Sequence, residues 1–118
     1  MNLGLDIGNT NVKLGLFSQN KMIDYVFTRA FSIDFLESFL ITHSGVKNLC
    51  FSNTSSEVVG MHTLCKKKNI TLIKVDSECV LPIEIKYTTP NSLGSDRIAL
   101  AVGAYMKYKG EKLVIDIG

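Results

Sequence analysis

At the usual ~100–200 residues per domain, a chain of 118 residues has room for one compact domain. With 46% hydrophobic residues, 20% charged residues and two prolines, it is neither disordered nor of low complexity. A net charge of +2, with Lys66-Lys67-Lys68 as the only basic run, is too small to imply an electrostatic grip on nucleic acid, and no stretch approaches the ~18 apolar residues of a membrane span.

The first quarter reads as strands. Leu3, Leu5 and Ile7 alternate with Asn2, Gly4 and Asp6, and Val12, Leu14 and Leu16 alternate with Asn11, Lys13 and Gly15. Gly8-Asn9-Thr10 between them has turn composition, and Ser18-Gln19-Asn20-Lys21 makes a second turn before an alternating segment on Ile23, Tyr25 and Phe27. Connections this short make the three strands antiparallel neighbours, because parallel pairing needs a long crossover.

The period then changes. Ser32 is placed to cap a helix with Phe35, Leu36, Phe39 and Leu40 inward; Phe31 faces Leu36 at the spacing of a hydrophobic staple, and Gly45 closes the segment. Val46–Phe51 reads as a buried strand. Ser55 or Ser56 starts a second helix with Val58, Met61, Leu64 and Cys65 inward, and its lysines fall at the C-terminal end, where the macrodipole favours cations. Ile70–Val75 is a further strand, a third helix runs from about Leu93 to Lys109 and ends at Gly110, and Lys112–Ile117 is a last strand. A hairpin meander feeding βαβ units predicts a mixed sheet covered by helices.

Leu113-Val114-Ile115-Asp116-Ile117-Gly118 repeats Leu3-Gly4-Leu5-Asp6-Ile7-Gly8 at four of six positions, both ending in Asp-Ile-Gly. The repeat predicts that a second, related domain opens near residue 112 and that the chain is a piece of a longer protein. An aspartate at a strand end followed by glycine puts a carboxylate beside backbone that a ligand can approach closely.

Two constellations can carry chemistry. In Asp6-Ile7-Gly8-Asn9-Thr10-Asn11-Val12-Lys13 the turn offers N–H groups and side-chain donors to an anion, and Lys13 a point charge for phosphate. Asp6 fits beside phosphate only through a divalent cation or its waters. The alternative is a polar β-turn without a ligand. In Tyr87-Thr88-Thr89-Pro90-Asn91-Ser92-Leu93-Gly94-Ser95-Asp96-Arg97, a plain helix start with Ser92 or Ser95 as cap accounts for Asp96. It does not account for Arg97, a cation opposing the dipole. Asp96 as base, Arg97 as anion clamp and Gly94 as space suit a substrate with both a hydroxyl and a carboxylate. His43 and His62 lack metal-ligand spacing and read as surface residues; Tyr105 and Tyr108 read as packing or snorkelling. Cys50, Cys65 and Cys79, odd in number and without a CxxC, read as free thiols in a reducing, cytoplasmic setting.

DIGNTNVK at 6–13, Y-x-x-P-x-x-L-G-x-D-R at 87–97 and DIG at 116–118 together resemble the type III pantothenate kinases of the actin/sugar-kinase/Hsp70-like ATPase superfamily. The resemblance implies an α/β, ribonuclease H-like (actin-like ATPase) fold with a mixed five-stranded sheet in β-β-β-α-β-α-β-α order. Residues 1–110 would form the N-terminal domain and 111–118 the opening strand of a second one. It implies transfer of the ATP γ-phosphoryl group to pantothenate, the first step of coenzyme A synthesis. In that scheme Asp6, Ile7, Gly8, Asn9, Thr10, Asn11, Val12 and Lys13 bind phosphate, and Asp6 acts through Mg2+-bound water. Asp96 accepts the substrate hydroxyl proton; Tyr87, Gly94, Ser95, Asp96 and Arg97 bind pantothenate; Asp116 binds a monovalent cation, K+ or NH4+. Phosphoryl transfer is mostly positioning and charge neutralisation, and a carboxylate is a weak base, so Asp96 would orient the hydroxyl more than deprotonate it. The resemblance also implies a homodimer at full length, no nucleic-acid or membrane partner, and no activity from the 118 residues alone. Two other readings stand beside it. One is another kinase of the superfamily, such as a sugar kinase, against which Gly94-Ser95-Asp96-Arg97 and the lack of a sugar-kinase zinc pattern argue. The other is a non-enzymatic transcriptional accessory protein, against which the weak charge argues.

Overall fold

The computed structural model describes residues 1–54 and 58–116. The chain divides into two compact units, Met1–Lys74 and Val75–Gly118.

The first unit is built on a five-stranded sheet: β1 (Asn2–Ile7), β2 (Val12–Ser18), β3 (Lys21–Thr28), β4 (Asn48–Asn53) and β5 (Thr71–Lys74), in spatial order β3-β2-β1-β4-β5. The meander β1-β2-β3 is antiparallel, as its short turns require, and β4 and β5 add in parallel. Gln19 and Asn20 both take positive φ (48° and 63°), the left-handed pair that a tight hairpin needs. The mixed five-stranded sheet is as the sequence predicts.

Alternation along the strands buries Leu3, Leu5, Ile7, Val12, Leu14, Leu16, Leu49 and Phe51 in one cluster with residues of two helices, α1 (Ile33–Thr42) and α2 (Met61–Lys67). Leu36 and Leu40 come from α1; Met61, Leu64 and Cys65 come from α2. The Ser32 side chain accepts the Phe35 N–H at 3.1 Å, which is the predicted cap. Phe31 packs against the core, and its ring meets that of Phe35 edge to face at 6.1 Å. The helix ends at Thr42, with His43 as its C-cap. His43 is more than a surface residue: it stacks on Phe39 at 4.3 Å, and its Nε2 lies 3.2 Å from Asp24 Oδ2, tying α1 to β3.

One further expectation is corrected in this unit. The second helix begins at Met61, not near Ser55 or Ser56, which lie outside the described residues. Its N-cap, Gly60, sits at φ 90°, a left-handed break that keeps Val58 out of the helix although Val58 still packs on the core. In β3 the alternation is present, but Val26 reaches the core while Ile23, Tyr25 and Phe27 are 54%, 52% and 51% exposed. The register pairs Phe27 with Lys13 and Tyr25 with Gly15, so these rings share the face of the sheet opposite the helices. On that face Phe17 occupies the space left by two paired glycines: a Cβ at Gly15 would fall 3.0 Å from its ring, and one at Gly4 3.6 Å.

In the second unit a 3₁₀ turn at Pro90–Ser92 precedes α3 (Ser95–Lys107), whose Ile98 is buried. Neither Ser92 nor Ser95 caps this helix. Gly94 is the N-cap, Ser95 is already helical, and Ser92 bonds back to the Thr89 carbonyl. The predicted strand at 112–117 does not form: residues 112–116 carry no regular secondary structure, and Ile117 lies outside the described residues. A strand needs a hydrogen-bonding neighbour in a sheet, and this segment is not among the five strands of the described sheet. Leu113 and Ile115 instead border a groove of about 510 Å³ along Leu100 and Gly103 of α3. Tyr105 and Tyr108 are exposed, each under a lysine ammonium, Lys112 at 5.2 Å and Lys107 at 5.6 Å. No helix among the described residues is long and apolar enough to cross a membrane.

Candidate active site

The end of β1, the central strand, carries the most organised polar group of the first unit. Asp6 is paired with Lys13 across the antiparallel ladder to β2 and with Ser52 across the parallel ladder to β4. Both neighbours reach it. The Ser52 hydroxyl donates to Asp6 Oδ1 at 2.7 Å, and Lys13 Nζ lies 3.5 Å from Asp6 Oδ2. Because side chains alternate, this group stands on the face opposite the helices, beside Gly4 and Gly15.

The turn that follows is tighter than an open anion cradle. The Gly8 N–H donates to the Asn11 carbonyl at 3.0 Å, so it is used within the turn. A Cβ at Gly8 would lie 3.1 Å from that carbonyl oxygen, which explains the glycine by close approach. Ile7 and Val12 are buried in the core, and the Ile7 carbonyl is taken by Thr54 N–H at 3.0 Å. Asn9 and Thr10 are exposed. Asn11 Oδ1 is buried with no hydrogen-bond partner among the described residues, an orphan acceptor that calls for a donor. Residues 7–12, with Arg29, Phe31 and Ser32, line a cavity of about 300 Å³. Asp6 and Lys13 are not among its walls, so the predicted 6–13 constellation divides between two sides of the turn.

In the second unit, Asp96 lies in the first turn of α3, and its Oδ1 accepts the N–H of Arg97 at 2.9 Å. Part of the plain helix-start reading therefore holds, since one carboxylate oxygen serves the helix terminus. Gly94 also gives room to the chain itself. The space that its missing Cβ leaves is filled by the Asp96 carboxylate itself. Arg97 is exposed, and among the described residues no carboxylate lies within ion-pair distance of it. Ser95 is half-buried; Tyr87 and Asp116 are exposed; the Ile117-Gly118 part of the closing motif lies outside the described residues.

Among the described residues no three His, Cys, Asp or Glu side chains gather as a metal cage. The single hard carboxylate of Asp6 fits Mg2+ held mainly by water, the usual habit of that ion, while the Lys13 ammonium 3.5 Å from it suits an anion. Ser52 and Arg29 did not emerge from the sequence. The signal for Ser52 was a lone hydroxyl closing the apolar run Leu49-Cys50-Phe51, but its meaning depends on a register 46 residues away.

A mixed sheet with three helices and a hydrogen-bonded carboxylate at the end of its central strand is consistent with a kinase-like α/β domain. A family model described as type III pantothenate kinase matches residues 2–118, and the chain belongs to that family. Curated relatives named type III pantothenate kinase are 32% identical over 120 residues in Christiangramia forsetii, 34% over 122 in Azobacteroides pseudotrichonymphae and 34% over 119 in Bacteroides fragilis. Each match takes in 100% of this chain but 49%, 48% and 49% of the relative, so the chain spans about half the length of the curated relatives it matches.

Proposed function

We propose that this chain forms the N-terminal half of a cytoplasmic, homodimeric kinase with the actin-like ATPase fold, which transfers the γ-phosphoryl group of ATP to pantothenate at the entry to coenzyme A synthesis. Family membership supports the reaction, and the sheet order β3-β2-β1-β4-β5, an antiparallel meander continued by parallel strands, supports the fold. The observation that carries the reading is Asp6 at the end of the central strand, held by Ser52 and faced by Lys13. A carboxylate so placed suits the water shell of Mg2+, which neutralises phosphate charge when bound.

In this scheme the turn from Gly8 to Asn11 borders the phosphates and Lys13 contributes a point charge. Asp96 orients the pantothenate hydroxyl for in-line attack, and Arg97, exposed in the first turn of α3, receives the substrate carboxylate. Tyr87, Gly94 and Ser95 complete that pocket. The likeness of Leu113–Asp116 to Leu3–Asp6 supports Asp116 as the ligand of K+ or NH4+ and a second, related domain from about residue 111.

The test uses a protein carrying this chain at the full length of its relatives. With ATP, Mg2+ and K+ it should phosphorylate pantothenate and not hexoses, and Asp96→Asn should abolish turnover while the folded state persists. Near-normal turnover by Asp96→Asn would remove Asp96 from the mechanism; phosphorylation of hexoses alone would overturn the substrate.

A further inference from the structure

We propose that Ser52 is a positioning residue that selects which oxygen of Asp6 faces the magnesium–nucleotide, an inference that rests on the phosphate-binding reading of Asp6. Among the described residues Ser52 is the only polar residue buried as a whole, at 4% exposure. Burying a hydroxyl is unfavourable unless it is hydrogen-bonded, and this one is satisfied by donating to Asp6 Oδ1 at 2.7 Å. Its place is set by backbone pairing: Ser52 is the parallel partner of Asp6, one strand away from the sheet's centre.

The geometry has a direct chemical consequence. An aspartate carboxylate turns readily about its terminal torsion, so its two oxygens are interchangeable unless something distinguishes them. Ser52 takes Oδ1 from the side of β4, and Oδ2 is thereby directed toward β2, where Lys13 Nζ stands 3.5 Å away. Oδ2 is then the oxygen that would face cation-bound water, with Lys13 as its neighbour. Partners that orient a carboxylate beside a metal characteristically govern its affinity about 10- to 100-fold. Removing the Ser52 hydroxyl leaves the backbone and the core untouched, because alanine is smaller and the helix-side cluster does not include residue 52.

The experiment compares wild type, Ser52→Ala and Ser52→Thr in the protein at the full length of its relatives. Binding of Mg2+ with a non-hydrolysable ATP analogue is followed by the backbone amide shifts of Asp6 and Gly8, beside kcat, KM for Mg-ATP and the thermal midpoint. Ser52→Ala should weaken Mg2+–nucleotide binding about tenfold and raise KM, with the saturated rate and thermal midpoint little changed, and Ser52→Thr should restore the wild-type affinity. Nucleotide binding in which Ser52→Ala equals wild type overturns this inference alone. A loss of thermal stability without a change in Mg2+ affinity, or a failure of threonine to rescue, reduces Ser52 to a structural hydroxyl and overturns it as well. Wild-type protein that binds no nucleotide overturns the phosphate-binding reading of Asp6 and this inference with it.

Discussion

Lys13 and Asp6 face each other across β1 and β2 with their charged ends 3.5 Å apart, the lysine 52% and the aspartate 40% exposed. Water screens such a pair, so its worth to the fold is at most about 1 kcal/mol. Lys13→Met should therefore leave the thermal midpoint within a few degrees of wild type. If the ammonium serves phosphate, the same change raises KM for ATP several-fold, and more steeply at low ionic strength. Thermal unfolding and ATP saturation curves at two salt concentrations check both halves.

Gly94 has φ −58° and ψ 136°, a backbone conformation alanine adopts without strain. Its Cβ, however, would collide with the Asp96 carboxylate. Gly94→Ala should fold normally while turning Asp96 away from the Arg97 N–H. In the full-length protein turnover should fall by up to about 100-fold, the usual cost of misplacing a positioned group by about an ångström. Steady-state kinetics beside a circular-dichroism melt separates the two effects.

Ser32→Ala removes the acceptor for the Phe35 N–H at the start of α1. The expected loss is about 1 kcal/mol, read as a lower midpoint in urea with an unchanged slope.

Burial pushes the Cys65 thiol above its ordinary value of 9.0. The unfolded chain therefore loses this proton at a lower pH than the folded one does. The associated stability is complete below the ordinary thiol range and is lost as pH rises beyond it. Urea unfolding from pH 8 to 10 should show a decline that is shallower in Cys65→Ala. Thiol labelling of the native protein should reach the half-buried Cys50 and Cys79 before Cys65.

The parts of the fold readable from sequence are those governed by neighbours along the chain. The cap and inner face of α1 lie within ten residues of each other, and the antiparallel meander follows from turns too short for anything else. What the sequence left hidden depends on distant pairing. The apolar residues of β3 alternate correctly, yet only the register to β2 decides that Ile23, Tyr25 and Phe27 face away from the helices. Ser52 gains its meaning from Asp6, 46 positions earlier, through a parallel pairing that no local pattern announces. Serine favours helix caps in general, whereas at the start of α2 a left-handed glycine sets the boundary. Apolar alternation at 112–116 gives strand propensity without a strand, since propensity does not supply a partner.

Phe17 lies where a side chain on Gly15 would have to go, the two atoms being only 3.0 Å apart. A methyl group at position 15 would therefore press on the ring and oblige it to give by a few tenths of an ångström, so the bare glycine is what lets Phe17 lie close over the strand pair.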